Sequence, residues 1–306
     1  MTISQLINAG LCALGNVLGT EISKGCITQI TAAKSIWLLK PGEMFRAGET
    51  FAAEFERLIK AGSLIVLNNV NTFEESGNDD TTETLDDDTM FVTNEGKYKF
   101  DATFTNGMYF NKALHSLKGF RRWNTLIVTT QGIFGKKDAE GNLSGFTTGM
   151  IQPSKLVIGS NSQGQKEGLM FQFTERADLD SDYGFIQDTT ARKQKGVTQV
   201  TLSFVNVPSD TDTTVTIKAH LAQDQNEAFT GEDFNDFLIT TDGVTDNPTA
   251  GDDSATSGTY VLTKSAVSTG EVLTAQLYDN GSNTAVIKGE DGDYYKSNTI
   301  TVTAVA

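Results

Sequence analysis

The feature that most constrains the fold of this chain is an alternation of apolar and polar side chains within residues 96–105. The apolar positions are Tyr98, Phe100, Ala102 and Phe104. A period of two places these four side chains on one face of an extended strand and the polar residues between them on the other. The pattern therefore predicts a half-buried strand at the core of a first domain.

Two short helices are predicted where apolar residues recur every three or four positions. The first covers residues 49–61 and ends at Gly62. Its apolar face is formed by Phe51, Phe55, Leu58 and Ile59, and its polar face by Glu54, Glu56, Arg57 and Lys60. The second follows the turn at Asn106-Gly107 and stops at Gly119. Its apolar residues are Phe110, Leu114 and Leu117.

Short strands separated by glycine and polar turns are predicted for most of the remaining chain. In the first half they fall at residues 27–39 (as one or two strands), 64–67, 126–130, 133–135, 145–151, 155–160 and 168–175. In the second half they fall at residues 200–204, 215–221, 237–240, 258–263, 271–278, 284–288 and 298–305. About seven short strands in about 110 residues are typical of an immunoglobulin-like sandwich.

The sequence therefore predicts a mainly β fold with one or two short helices, of the α+β class, in two domains. Residues 1–190 are expected to form a β-sandwich or barrel-like assembly domain, and residues 197–306 an immunoglobulin-like β-sandwich. The boundary is placed in the charged interval 176–196. An acidic, threonine-rich interval at residues 71–89 is predicted to be a solvated loop or a hairpin arm.

Net charge limits the partners that this chain can have. A charge of −15 repels nucleic acid and anionic membranes unless a local basic patch intervenes. No run of about eighteen apolar residues occurs, so no membrane partner is expected. Cys12 and Cys26 have no companion Cys or His at zinc-site spacing. Two isolated small apolar residues are the favoured interpretation, and a disulfide stays open.

One stretch has the composition of a calcium loop. Residues 178–184 carry aspartates at alternate positions, and such oxygen ligands can converge on a hard cation. The EF-hand pattern, however, needs Gly where Tyr183 stands and Glu where Thr189 stands. A solvated acidic linker is therefore the favoured interpretation of this stretch.

Motifs for catalysis are absent from the sequence. His115 and His220 have no adjoining constellation, and neither G-x-S-x-G nor a phosphate-binding loop occurs. We predict no enzyme activity, no catalytic, cofactor-binding or metal-binding residues, and no cofactor. A small basic–aromatic patch is formed by Lys118, Arg121, Arg122 and Trp123. Nucleic-acid contact is one interpretation of it, and a subunit contact with an acidic neighbour is the favoured one.

The first domain resembles the tail tube proteins of tailed bacteriophages. The resemblance covers residues from about 27 to 190 and depends on the layout of residues 96–110, 124–135, 145–151 and 155–179. It implies a sandwich or small barrel with one helix and a long hairpin arm, for which residues 71–89 and residues 161–166 are the two candidates. It also implies that six copies close into a ring and that rings stack into a tube through which DNA passes. Some such proteins carry an immunoglobulin-like domain outside, a role that residues 197–306 fit.

The resemblance also implies a cellular setting and a set of partners. The chain is expected to be a virion structural protein that is made in the cytoplasm of an infected bacterial cell. Its partners would be identical copies, other virion proteins and DNA in transient, non-specific passage. Two alternatives stay open: a head decoration or connector protein, and a carbohydrate-binding surface module. The second would use the aromatic residues Tyr278, Tyr294 and Tyr295.

Overall fold

The computed structural model describes residues 2–3, 5–6, 32–77, 79–155, 157, 166–254 and 258–306. Within them the chain is mainly β with a few short helices, as the sequence predicts. Two compact units are present: Met1–Leu58 with Gly62–Gln194, here the N-terminal unit, and Ile59–Ala61 with Lys195–Ala306, here the C-terminal unit. The predictions for Cys12, Cys26, residues 27–31 and most of residues 155–165 lie outside the described residues.

The N-terminal unit consists of two large sheets and one small one. Its strands are β1 (Ser35–Leu39), β2 (Leu64–Asn68), β3 (Val70–Glu75), β4 (Thr81–Thr84), β5 (Met90–Asn94), β6 (Lys99–Phe104), β7 (Gly119–Phe120), β8 (Asn124–Val128), β9 (Ile133–Lys137), β10 (Leu143–Ser144), β11 (Thr148–Pro153), β12 (Glu167–Phe173) and β13 (Tyr183–Ile186). The first sheet has the order β10-β9-β8-β1-β2, with β13 also paired to β9. The second has the order β3-β6-β12-β11-β7, and β4 and β5 form a separate pair.

The core of this unit lies between the two large sheets. Ala102 and Phe104 of β6 are buried, and Phe100 of β6 and Tyr98, just before this strand, are partly buried against the same cluster. The neighbouring strand β12 contributes Leu169, Phe171 and Phe173. The predicted alternation is therefore confirmed, because burial of one face selects the same set of side chains that the period of two selects.

Strand β1 is buried along its whole length because it is covered on both faces. Ile36 and Leu38 belong to the core between the sheets. Trp37 points to the other face, where its ring lies 6.2, 6.2 and 5.2 Å from the rings of Phe45, Phe51 and Phe55. A strand that faces apolar surroundings on both sides needs a continuous apolar run, which the sequence of β1 supplies.

The helices are α1 (Phe51–Lys60), α2 (Met108–Ser116) and α3 (Ala177–Asp180), with a 3-10 turn at Ala191–Lys193. The first two confirm the predicted helices. The chain after α1 turns at Gly62, whose φ of +61° lies in the left-handed region that glycine tolerates. Helix α2 ends at Ser116, before the predicted Gly119, which instead begins β7. Among the described residues, none of the helices has the length and apolarity needed to cross a membrane.

Glu54 pairs with Arg57 on the face of α1 that was predicted to be polar, but it is buried instead of exposed to solvent. This side chain is only 2% exposed. Its carboxylate accepts hydrogen bonds from the Arg57 guanidinium at 2.9 Å and from the backbone N–H of Arg46 at 3.1 Å. Burial raises the pKa of Glu54, but these hydrogen bonds outweigh burial and hold it below its ordinary value. The charge is tolerated because it is paired inside the protein.

The charged interval 176–196 is more ordered than an interdomain linker. It contains helix α3, strand β13 and the 3-10 turn, and β13 completes the first sheet through β9. Arg176 pairs with Asp180 of α3 at 2.8 Å, and Asp178 of α3 pairs with Lys136 of β9 at 2.6 Å. Between β9 and β10 the chain turns back on itself, and the backbone N–H of Asn142 donates to the Asp138 carboxylate there.

The C-terminal unit is built from two facing sheets. Its strands are β14 (Val197–Phe204), β15 (Thr214–Leu221), β16 (Asp224–Ala228), β17 (Phe237–Thr241), β18 (Val244–Thr245), β19 (Ala250–Ser254), β20 (Thr259–Thr263), β21 (Val272–Leu277), β22 (Ile287–Lys288), β23 (Tyr294–Ser297) and β24 (Ile300–Thr303). The larger sheet runs β19-β20-β15-β14-β23-β22, with β16 on β15, and the smaller runs β18-β17-β21-β24. Both sheets contribute to one apolar core.

Candidate functional site

The first candidate surface is a hairpin that projects from the edge of the second sheet between β3 and β6. We call residues 79–95 the arm. Within it β4 and β5 are antiparallel, with Thr82 opposite Val92 and Thr84 opposite Met90. Every residue of the arm is exposed, and the arm contains seven Asp or Glu residues and no Lys or Arg. A two-stranded hairpin of this kind is marginally stable in water unless something else holds it.

The apolar side chains of the arm are the unusual part of this surface. The exposed fractions of Leu85, Met90, Phe91 and Val92 are 53%, 66%, 40% and 50%. Solitary exposed apolar residues are normal, whereas four on one short projection mark an interaction surface. The sequence prediction of an arm ended at Thr89 and therefore missed three of these residues. The run Met90-Phe91-Val92, with its high β propensity, was the signal that could have revealed them.

A network centred on Arg176 holds the base of the arm. The Arg176 guanidinium pairs with Asp80 on the arm and, at 2.8 Å, with Asp180 on α3. Asp180 also accepts a hydrogen bond from the Tyr98 hydroxyl at 2.6 Å. Hydrogen bonds from Arg176 and then from the Gly96 amide lower the pKa of Asp80. The network therefore joins the arm to the body of the N-terminal unit.

Substituting Arg176→Ala is expected to loosen the arm without unfolding the unit. Amide hydrogen exchange of residues 79–97 should speed up roughly two- to fivefold at pH 6, because exposed ion pairs hold local structure weakly. Asp80 has a lowered pKa in the folded state. The pair is therefore complete above the ordinary Asp pKa of 3.8 and is lost as pH falls through the lower folded value. The difference between variant and parent should accordingly shrink in acid.

The control for this experiment is Arg192→Ala, which removes an exposed arginine of the 3-10 turn Ala191–Lys193. Its exchange in residues 79–97 should match that of the parent protein. Equal exchange of the Arg176→Ala variant and the parent at pH 6 would show that the network does not hold the arm.

The second candidate surface lies at the opposite edge of the same sheet. We call Lys118, Phe120, Arg121 and Arg122 the basic edge; all four are exposed. Phe120 is 68% exposed, and the Arg121 guanidinium lies 5.1 Å from the centre of its ring, within cation–π range. Trp123, predicted to belong to this patch, is partly buried against the inter-sheet core instead. Its ring is therefore a poor stacking platform for a nucleic-acid base.

The arm and the basic edge lie at opposite edge strands, but the strand register places both at the same level along the strand direction. Phe120 pairs with Met150, Met150 with Gln172, and Gln172 with Lys99. Lys99 accepts a hydrogen bond through its carbonyl from Ser76, where the chain leaves β3 toward the arm. One row of residues across four strands, continued by Ser76 just beyond the end of β3, therefore connects the two surfaces.

The three aspartates of the possible calcium loop have separate partners. Asp178 is buried, pairs with Lys136 at 2.6 Å and accepts the Thr147 amide at 2.8 Å. Asp180 pairs with Arg176, and Asp182 accepts from Ser181. Among the described residues, no group of three or more His, Cys, Asp or Glu side chains is arranged to hold a metal ion. This stretch therefore contributes to the N-terminal unit through pairwise contacts.

The remaining candidate residues are the two histidines, one in each unit, and three tyrosines of the C-terminal unit. His115 is exposed on α2 in the N-terminal unit, and His220 is half-buried on β15 in the C-terminal unit. Tyr294, one of the three aromatic residues considered for carbohydrate binding, is buried. Tyr278 and Tyr295 are half-buried, with hydroxyls bonded to Asn283 and, at 2.5 Å, to Asp291. These three rings do not form an exposed aromatic platform.

No protein-family model matches this chain, and no curated protein matches its sequence.

Proposed function

We propose that this chain is a structural subunit of a tailed-bacteriophage virion, of the tail tube type, whose copies assemble into stacked rings that conduct DNA. The observation that carries the proposal is the arm, whose exposed apolar side chains need a partner surface. A ring subunit uses such projections and unpaired strand edges to bind identical copies. The acidic charge of the chain suits a conduit, because it would let DNA pass without binding.

The C-terminal unit supports the same proposal. If β14, β15, β17, β19, β20, β21 and β24 are lettered A to G in chain order, the sheets read D-E-B-A and C-F-G. With β16, β18, β22 and β23 left out of the lettering, this order matches the one expected for the proposed immunoglobulin-like sandwich. An outward-facing immunoglobulin-like domain accompanies the tube domain in some of the proteins that the N-terminal unit resembles.

Polar substitution at the arm tests the proposal. The variant Met90→Ser/Phe91→Ser should lose assembly while keeping the circular dichroism spectrum of the parent, because both side chains are exposed and leave the core intact. We expect sedimentation velocity to give mostly monomer at concentrations where the parent forms rings in negative-stain images. At least a tenfold loss of assembled protein is expected, since burial of two such side chains contributes several kcal/mol.

The matched control is Val207→Ser/Val244→Ser, which alters two exposed apolar residues of the C-terminal unit. It should assemble like the parent. Mass spectrometry and imaging of the virion would then place the protein in the tail rather than on the head. A parent protein that stays monomeric at every concentration, and that is missing from virion tails, would refute the proposal.

A further inference from the structure

We infer that the arm of one copy docks on the basic edge of a second copy of this chain. The inference rests on the proposed self-assembly and names the two surfaces that meet. Its first support is their placement. The arm leaves one edge of the five-stranded sheet at the β3–β6 side, and the basic edge lies at β7 on the other side.

The distance between the two edges favours contact between copies. Four strand spacings of about 4.8 Å separate β3 from β7, so the edges are about 19 Å apart. The two surfaces lie at opposite edge strands of one sheet and in one register row. A second copy placed beside the first, edge to edge, therefore presents its basic edge to the arm of its neighbour. Such head-to-tail contact is heterologous, and it closes into a ring when the rotation permits.

Charge is the second support. The arm has seven acidic residues and no basic one in residues 79–95. Residues 118–122 contain three basic residues and no acidic one, in a chain whose net charge is −15. Opposite patches of this kind steer association and fix its register. A second copy is therefore attracted through this pair of surfaces, whereas most of the remaining surface repels it.

Apolar contact and free backbone are the third support. Phe120 on the basic edge is exposed, as are Met90, Phe91 and Val92 on the arm. Strand β7 is at the end of its sheet, so its outer side has no strand partner among the described residues. An extended segment can add to such an edge through backbone hydrogen bonds while its side chains fill the flanking surface. Strand β5 has the extended backbone that this addition requires.

A charge-swap experiment on the full chain tests the docking. Glu83→Lys/Asp86→Lys reverses two arm charges, and Lys118→Glu/Arg122→Glu reverses two charges of the basic edge. Arg121 is left unchanged because its φ of 50° lies in the left-handed region. Each double variant should raise the concentration at half assembly roughly tenfold or more, because it places like charges together. Combining all four substitutions should restore assembly to within about threefold of the parent, because complementarity returns.

The matched controls reverse exposed charges elsewhere in the N-terminal unit. Glu49→Lys/Glu140→Lys has the same charge change as the arm variant, and Lys40→Glu/Lys193→Glu the same as the edge variant. Both should assemble within about threefold of the parent. Controls that lose as much assembly as the test variants would show that net charge, rather than docking, is responsible.

Photo-crosslinking identifies the docking surface directly. With p-benzoylphenylalanine in place of Phe91, irradiation of a mixture of ¹⁴N- and ¹⁵N-labelled protein should link the arm of one chain to residues 118–123 of another. If rings form without this cross-link, and the variant with all four charge substitutions does not recover assembly, the docking is refuted while the proposed function stands. A parent protein that never assembles would overturn both.

Discussion

Replacing Trp37 with alanine is expected to lower the free energy of unfolding of the N-terminal unit by about 3–5 kcal/mol. The side chain is fully buried on β1, and its ring contacts those of Phe45, Phe51 and Phe55. Its indole N–H also donates to the Ser35 hydroxyl at 3.0 Å. Truncation therefore leaves a large cavity and removes a buried hydrogen bond. Urea denaturation followed by far-UV circular dichroism measures the loss.

The control is Tyr109→Ala, because Tyr109 is an aromatic residue that is 80% exposed on α2. Its substitution should change the free energy of unfolding by no more than about 0.5 kcal/mol. A loss below about 1 kcal/mol for Trp37→Ala would contradict the idea that the aromatic cluster between β1 and α1 stabilises this unit.

The second large effect is expected in the C-terminal unit, at the pair formed by Lys264 and Asp246. The Lys264 side chain is fully buried, and its ammonium lies 3.1 Å from the Asp246 carboxylate. Asp246→Asn removes the negative charge and leaves the buried ammonium without its counter-ion. We expect a loss of about 3–5 kcal/mol in the free energy of unfolding. Hydrogen exchange in increasing urea, read on peptides of this unit, measures it.

The control for the ion pair is the double variant Lys264→Met/Asp246→Asn. It removes both charges, while the asparagine keeps an oxygen for the Ser265 hydroxyl, which donates to Asp246 at 2.9 Å. Much of the lost stability should return, since an apolar side chain in a buried site has no charge to desolvate. A double variant less stable than Asp246→Asn alone would mean that the stranded ammonium is not the cause.

The same pair predicts how acid affects the C-terminal unit. Burial raises the pKa of Asp246, but hydrogen bonds from Ser265 and Lys264 lower it more, so the folded-state pKa lies below the ordinary 3.8. The stabilisation is therefore present above pH 3.8 and is lost as pH falls through the folded value. In the double variant this part of the acid dependence should be absent. Thermal denaturation between pH 6 and pH 2.5 makes the comparison.

Much of the fold can be predicted from local sequence because an amphipathic strand or helix buries its apolar face, which the spacing of its residues identifies. The alternation around Phe100 predicts β6, and the spacing of Phe51 and Phe55 predicts α1, since in each case the apolar face is the one that packs. The burial of Glu54 could not be predicted in this way. It depends on Arg57 and on the backbone of Arg46, which only the folded chain brings together.

The candidate site was predictable in part. The acidic interval indicated an arm, and the basic patch indicated a subunit contact, because both depend on charges that the sequence displays. That the arm and the basic edge share one register row could not be predicted, because it depends on the order of the strands in the sheet, which local sequence patterns do not contain. Strand β19 shows the same limit: Ala250–Ser254 has the composition of a loop, yet its backbone pairs with β20 at the sheet edge. Tertiary pairing overrode a weak β propensity there.

The burial of β1 on both faces has a consequence for how the N-terminal unit comes apart. Ile36 and Leu38 pack in the core between the two sheets, and Trp37 packs in the aromatic cluster against α1. Displacement of this one strand therefore exposes both apolar layers together. The two layers cannot melt in separate steps while they share it. Heating should therefore give a single cooperative transition for this unit, with the amides of β1 among the last to exchange.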